Sequence, residues 1–258
     1  MRPPHRPKRS LGQNFLRDPA IVERIVAALD VSADDDVIEI GPGQGALAEC
    51  VLVAGARVTA IEFDRDLAPA LRERLASSDR LNVIEADALD IDLAAIVPGS
   101  AKLVANLPYN ISTPILQRLI DQRAVFSRLV LMFQREVVER ISAPPGGKER
   151  GYLSVIAENA FDIEYLFDVP PQAFFPVPKV WSSVVRLTPK PKAVDEGELT
   201  RLVSEAFRHK RKNLRNNLQD VPADVFAEAS IDPTRRAETL SLEEWRSLYD
   251  AIKKGREL

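Results

Sequence analysis

Four consecutive residues, Asn106-Leu107-Pro108-Tyr109, combine an amide acceptor, a fixed backbone and an aromatic face. The chemistry they suit is attack by an exocyclic nucleobase amine. Such an amine is a poor nucleophile because its lone pair is delocalised into the ring. Two acceptors aimed at its hydrogens would hold the nitrogen towards tetrahedral geometry and free that pair. The Asn106 side-chain oxygen and the Leu107 carbonyl can serve, with Pro108 fixing the chain. A sulfonium methyl is already an activated electrophile, so no strong base is needed. In-line positioning then supplies most of the rate, up to about 7–11 kcal/mol. Tyr109 offers a face for a flipped base. Extrusion costs a few kcal/mol and one stack returns about 1–3, so a second ring is called for. Phe174 and Phe175 lie in PPQAFFPVPK (170–179), where four prolines, Pro170, Pro171, Pro176 and Pro178, stiffen the segment.

A glycine-rich loop, Gly41-Pro42-Gly43-Gln44-Gly45-Ala46, follows the apolar stretch 36–40 and opens a helix. Glycines admit positive φ and close backbone approach, and the helix start offers free N–H groups. Glu62, at the end of the next strand, can accept from both ribose hydroxyls of an adenosine. Asp87, after the third strand, suits an adenine amino group or a turn. By itself the loop leaves the cofactor open, because Gly41-x-Gly43-x-x-Ala46 also satisfies the nicotinamide fingerprint. A nicotinamide dehydrogenase, however, gives Asn106–Tyr109 no role, and no well-placed histidine or cysteine serves hydride chemistry. The tetrapeptide thereby favours S-adenosylmethionine.

The elements that must position these residues alternate. Helices are expected at 18–30, 46–54, 67–76 and 114–121, and strands at 36–40, 57–61, 82–84, 102–105 and 129–133. Short apolar strands alternating with helices imply a parallel sheet covered on both faces. A helix at 151–160 precedes two strand-like runs, 161–169 and 180–188. PKPKAVDEG (189–197) reads as a linker, and everything beyond it as helical, ending with 240–254. The boundary falls near 189, giving a catalytic domain at 1–188 and a second domain at 189–258.

With 258 residues, 45% of them hydrophobic, the chain has ample core. It lacks an eighteen-residue apolar run and a secretory leader. One cysteine and two histidines exclude an internal disulfide and a zinc site. The expectation is a cytoplasmic monomer that uses no metal and no membrane. Net charge is −3, but it is segregated. Arg2, Arg6, Lys8, Arg9 and Arg17 in one segment, and Arg208, Lys210, Arg211, Lys212 and Arg215 in another, carry +10 with no acid, leaving −13 elsewhere. On charge alone these are a solvated face and a tail.

GQNFL (12–16), EIGPGQGAL (39–47), EFDRDLA (62–68), NLPYNISTPIL (106–116), MFQREVVERI (132–141), FFPVPKV (174–180), SSVVRL (182–187) and RRAETLSLEEW (235–245) together resemble the bacterial 16S ribosomal RNA adenine dimethyltransferases. The resemblance spans nearly the whole chain. It implies an α/β fold, a Rossmann-like class I methyltransferase sheet with an antiparallel end strand, plus a small all-α C-terminal domain that contacts RNA. It implies four methyl transfers from S-adenosylmethionine to two adjacent adenines near the 3′ end of 16S rRNA, in the small subunit or its assembly intermediate. Asn14 and the Leu16 backbone would contact the cofactor with Gln13 nearby, Gly41 and Gly43 would lie beneath it, Glu62 would hold the ribose and Asp87 the adenine. Asn106 would sit where cofactor and amine meet. Tyr109 and Phe174 would sandwich the base, since Phe174 matches the family's aromatic. The run Arg208–Arg215 becomes an RNA-binding surface. Trp181 departs from the aspartate many relatives carry, and is expected to affect local packing. The 23S rRNA adenine methyltransferases, with isoleucine where this chain has Leu107, and a non-catalytic assembly factor are the competing readings.

Overall fold

The computed structural model describes residues 7–108, 111–191 and 196–257. Tyr109, Arg2 and Arg6 lie outside the described residues. The chain divides into two compact units, Met1–Val138 with Asp162–Pro189, and Glu139–Phe161 with Lys190–Leu258.

The first unit is built on a seven-stranded sheet. Its strands are β2 (Asp36–Ile40), β3 (Arg57–Glu62), β4 (Leu81–Glu85), β5 (Ala101–Asn106), β6 (Phe126–Gln134), β7 (Phe161–Val169) and β9 (Ser182–Pro189), in the order β4-β3-β2-β5-β6-β9-β7. β4 through β6 run parallel, and β9 is antiparallel to β6. The antiparallel strand lies at the β6 end of the sheet, second from its edge. β7 covers it, tied through Ser183 to Asp168 and Arg186 to Glu164. Parallel strands need crossovers, and α1 (Pro19–Leu29), α2 (Ala46–Val53), α3 (Leu67–Arg74) and α4 (Ser112–Asp121) occupy the helical segments read from the sequence. In α1, Asp18 accepts from Ala20 and Ile21 N–H, Pro19 starts the helix, and Ile21, Val22, Ile25, Val26 and Leu29 form the buried stripe. That stripe joins Val51, Val58, Val104 and Val130 in one core.

Three elements were not apparent in the sequence pattern. α5 (Arg135–Ile141) follows β6 directly, and a two-residue strand β1 (Phe15–Leu16) pairs antiparallel with β8 (Phe174–Phe175).

The second unit is helical and larger than the sequence boundary suggests. It contains α6 (Tyr152–Ala160), α7 (Glu196–Ala206), α8 (Leu214–Asn217), α9 (Ala223–Glu228) and α10 (Leu242–Glu257). Assigning 139–161 to the catalytic domain is corrected by the packing. Val155 of α6 shares a core with Leu202, Phe226 and Trp245. Arg150, buried, donates to the Ala143 and Leu240 carbonyls and pairs with Glu158. A helical reading of the basic run is also corrected. Residues 207–213 form a turn between α7 and α8, and the Asn217 amide donates to the carbonyls of Ala206 at the end of α7 and His209 in the turn, at 2.7 and 3.2 Å.

Among the described residues no helix is long and apolar enough to cross a membrane.

Candidate active site

A cavity of about 290 Å³ lies at the carboxyl ends of β2, β3 and β5. Parallel α/β sheets place ligands at that edge. Leu11–Leu16, the glycine loop, Glu62, Asp87 and Asn106–Pro108 all line it. The sequence therefore named residues from five separate stretches that the fold brings together.

The glycine loop is shaped by contact as well as by conformation. Gly43 has φ of 57°, and a Cβ there would lie 2.9 Å from the Phe15 ring. Any side chain would collide with the segment that closes the cavity. The Gly43 N–H donates to Glu62 Oε2 at 2.9 Å, and the Asp64 N–H to Oε1 at 2.8 Å. Each Glu62 oxygen keeps a second lone pair for a hydroxyl donor. Burial raises the Glu62 carboxyl above its ordinary value against the pull of the Asp64, Gly43 and Phe63 N–H groups, and the Asp64 charge adds to the rise.

Asn14 and Asn106 meet across the cavity rim. Asn106 Nδ2 donates to the Asn14 carbonyl at 3.1 Å, and Asn14 Nδ2 to the Gly12 carbonyl at 3.1 Å. The first bond fixes which way the Asn106 amide points. Its nitrogen is engaged, which leaves Oδ1 as the acceptor the amine chemistry requires. Leu107 is buried, and its N–H donates to Met132 on β6 at 3.2 Å. That bond and Pro108 hold the backbone whose carbonyl the sequence reading names as second acceptor.

Other sites have mixed roles. Asp87 lines the cavity, and its Oδ1 accepts from Leu89 N–H at 2.9 Å in the turn after β4. Gln13 lines the cavity while its amide is used inside the protein, accepting from Lys8 N–H and donating to Asp64 Oδ2. Lys8 pairs with Asp64 and Asp66, each at 2.6 Å. Burial pushes the Asp64 carboxyl up, but the Lys8 ammonium and its other donors outweigh this and hold it below the usual value. Lys8 is thus a brace rather than part of a free basic tail. Phe174 is 3% exposed, packs in the core beside Leu16 and does not line the cavity, whereas Phe175 is 45% exposed. Arg208, Lys210, Arg211, Lys212 and Arg215 belong to the helical unit and are all exposed.

Sequence reasoning missed Glu39. It is 2% exposed, lines the cavity floor, and its Oε2 has no hydrogen-bond partner. Burial, then the Glu62 charge, push its carboxyl up to about 8 against an N–H from Ala48. An acid flanked by isoleucines inside an apolar strand was the available signal. Phe63, half-exposed at the rim, was also missed.

A mostly parallel sheet with one antiparallel strand, a glycine loop leading from its first core strand, and an asparagine at the end of its fourth define a Rossmann-like class I methyltransferase. The family described as ribosomal RNA adenine dimethylase matches residues 4–254. The ribosomal RNA small subunit methyltransferase A of Syntrophotalea carbinolica is 46% identical, covering 96% of this chain and 97% of the relative. That of Pseudomonas aeruginosa is 44% identical over 92% and 91%. Among solved structures, a dimethyladenosine transferase from Plasmodium falciparum superposes with a TM-score of 0.83 at 27% identity, over 93% of this chain and 98% of that one. A 23S rRNA methyltransferase, ErmE, gives 0.74 at 25%, over 93% and 100%. The chain belongs to the ribosomal RNA adenine dimethylase family.

Proposed function

We propose that the protein transfers methyl groups from S-adenosylmethionine to the N6 amines of two adjacent adenosines near the 3′ end of 16S rRNA, in the small ribosomal subunit or its assembly intermediate, giving N6,N6-dimethyladenosine. The observation that carries this reading is the Asn106 amide, oriented by the Asn14 carbonyl so that Oδ1 remains as an acceptor at the cavity. The cavity residues fit the cofactor. Glu62 retains acceptor capacity for two ribose hydroxyls, Gly43 leaves room that a Cβ would fill, and the unpartnered Glu39 Oε2 offers an acceptor for a charged donor. Bound there, the cofactor supplies an activated methyl sulfonium.

The protein's own residues do the rest. Asn106 Oδ1 and the Leu107 carbonyl accept the amine hydrogens, so the nitrogen lone pair points out of the ring plane towards the methyl carbon. With the cofactor bound, its methyl would pass to that nitrogen with loss of the sulfur–carbon bond, and the amine would release its proton afterwards to water. A second cycle at the same nitrogen uses its remaining hydrogen. Tyr109 and Phe174 are the aromatic walls of this proposal. Phe174 serves only if its ring comes out from beside Leu16, which makes the comparison of Phe174→Ala with Phe175→Ala informative. The helical unit, with the exposed basic side chains of Arg208, Lys210, Arg211, Lys212 and Arg215, holds the RNA, and the protein acts as a cytoplasmic monomer.

The test is mass spectrometry of nucleosides from undermethylated small subunits incubated with enzyme and S-adenosylmethionine. Dimethyladenosine in 16S rRNA is expected, and label confined to 23S rRNA of large subunits refutes the target. Asn106→Ala should abolish transfer and leave RNA affinity nearly unchanged; normal turnover by that variant refutes the acceptor role.

A further inference from the structure

The connection between β8 and β9 carries apolar side chains that the core does not use. Phe175 is 45% exposed and Trp181 48%, with Val177 and Val180 exposed between them. Local packing, the role expected from the sequence at position 181, does not account for a half-exposed indole.

Register fixes where this surface lies. Asn106 stands opposite Met132, Met132 opposite Val184, and Gln134 opposite Ser182. Because β9 runs against β6, its start lies on the carboxyl edge of the parallel strands, the edge that holds Asn106. Trp181 precedes β9 by one residue, and its carbonyl accepts from Arg135 N–H at 3.0 Å just past β6. At about 3.3 Å per residue and about 4.8 Å between strands, the Trp181 backbone lies roughly 10 Å beyond Asn106 along the strands and roughly 10 Å across them. At the other end of the connection, Phe175 pairs with Phe15, whose ring lines the cavity. The exposed rings flank the catalytic edge rather than a distant face.

Two exposed cations accompany the rings, and one exposed acid, Glu136, follows Arg135 in the chain. The Arg17 guanidinium lies 4.2 Å over the Phe175 ring and makes no ion pair among the described residues. Lys179 is exposed between the two rings in sequence. Asp168 is engaged by Arg135 at 3.5 Å and by Ser183 at 2.5 Å. Exposed aromatics interleaved with free cations are the surface that binds unpaired nucleic acid, through stacking and phosphate attraction.

We infer that Trp181 and Phe175 form a stacking platform for the unpaired bases flanking the target adenine. The inference rests on the RNA-methylation reading above and adds a base subsite outside the cavity. An enzyme that extrudes a base gains from a surface that holds its unstacked neighbours, because each neighbour has lost a stacking partner.

The chain offers a readout independent of turnover. It has two tryptophans, and Trp245 is 0% exposed, so indole emission that responds to a ligand at the surface comes from Trp181. A short single-stranded oligoribonucleotide with two adjacent adenosines should quench wild-type emission on titration, and Trp181→Phe should abolish the quench. In methyl transfer to small subunits, Trp181→Ala should raise KM for RNA by about 5- to 150-fold, the loss of one base stack. Trp181→Phe should restore most of it, and Val53→Ala, on a remote exposed side chain, should change nothing. Unquenched wild-type emission, or a KM in Trp181→Ala within twofold of wild type, overturns the platform. So does quenching by RNA-free small-subunit proteins and not by the oligonucleotide, which would make the surface a protein-docking site. Quenching by the oligonucleotide in a protein that methylates no small subunit upholds the platform while the proposed target falls.

Discussion

Replacing Glu39 with glutamine tests whether the cavity floor holds a neutral acid. Glu39 is fully buried, and burial followed by the Glu62 charge lifts its carboxyl from 4.5 to about 8. A raised acid binds a proton in the folded state that the unfolded chain has already released. Between about pH 4.5 and pH 8, stability therefore falls as pH rises, and above about pH 8 the penalty is constant. One pKa unit corresponds to about 1.4 kcal/mol, so Glu39 costs about 3 kcal/mol more at pH 7 than at pH 5. Glu39→Gln is uncharged throughout and keeps an acceptor for the Ala48 N–H. Glu62, also raised, contributes a slope of the same sign in both proteins and drops out of their difference. Urea unfolding followed by circular dichroism at pH 5, 6, 7 and 8, without cofactor, should show the variant gaining about 3 kcal/mol on wild type between pH 5 and 7. Parallel stability curves would refute a buried neutral Glu39.

Gly43→Ala should reduce S-adenosylmethionine affinity by tenfold or more in calorimetry, about 1.4 kcal/mol, since its Cβ would meet the Phe15 ring at a φ of 57°; wild-type affinity would show that the loop tolerates a side chain. Replacing Arg211 and Lys212 with alanine should flatten the salt dependence of RNA binding by about 0.7 per lost phosphate contact on single-stranded RNA. An unchanged slope returns the turn between α7 and α8 to a solvated surface.

Where one side chain pattern governed one element, sequence reading and structure agree. The stripe Ile21–Leu29 and the strand–helix alternation through residue 134 are periodic signals long enough to read. β1 and β8 are two residues each, too short for any period, and only their tertiary pairing makes them strands. The segment 139–161 belongs to the helical unit because Val155 and Arg150 find partners far along the chain, which no local pattern encodes. In the site, residues whose chemistry depends on type, such as Asn106, Glu62 and the glycines, were legible. Those whose role depends on surroundings were not. Glu39 reads as one acid in a strand until burial makes it neutral, Lys8 as part of a tail until Asp64 and Asp66 capture it, and Trp181 as packing until its exposure is seen.

The pairing of Phe15-Leu16 with Phe174-Phe175 has a consequence for the order of events during synthesis. The segment 12–16, which closes the cavity over the glycine loop, leaves the ribosome early, yet its strand partner follows some 160 residues later. At roughly 5–20 residues per second, it waits for a time on the order of ten seconds or more. β9, which completes the sheet beside β6, emerges later still. A nascent chain thus holds its glycine loop and Asn106 long before it can assemble a finished site. An enzyme that modifies ribosomal RNA would in this way be born inactive on the ribosome that makes it, and become competent only once β8 has locked β1 and β9 has closed the sheet.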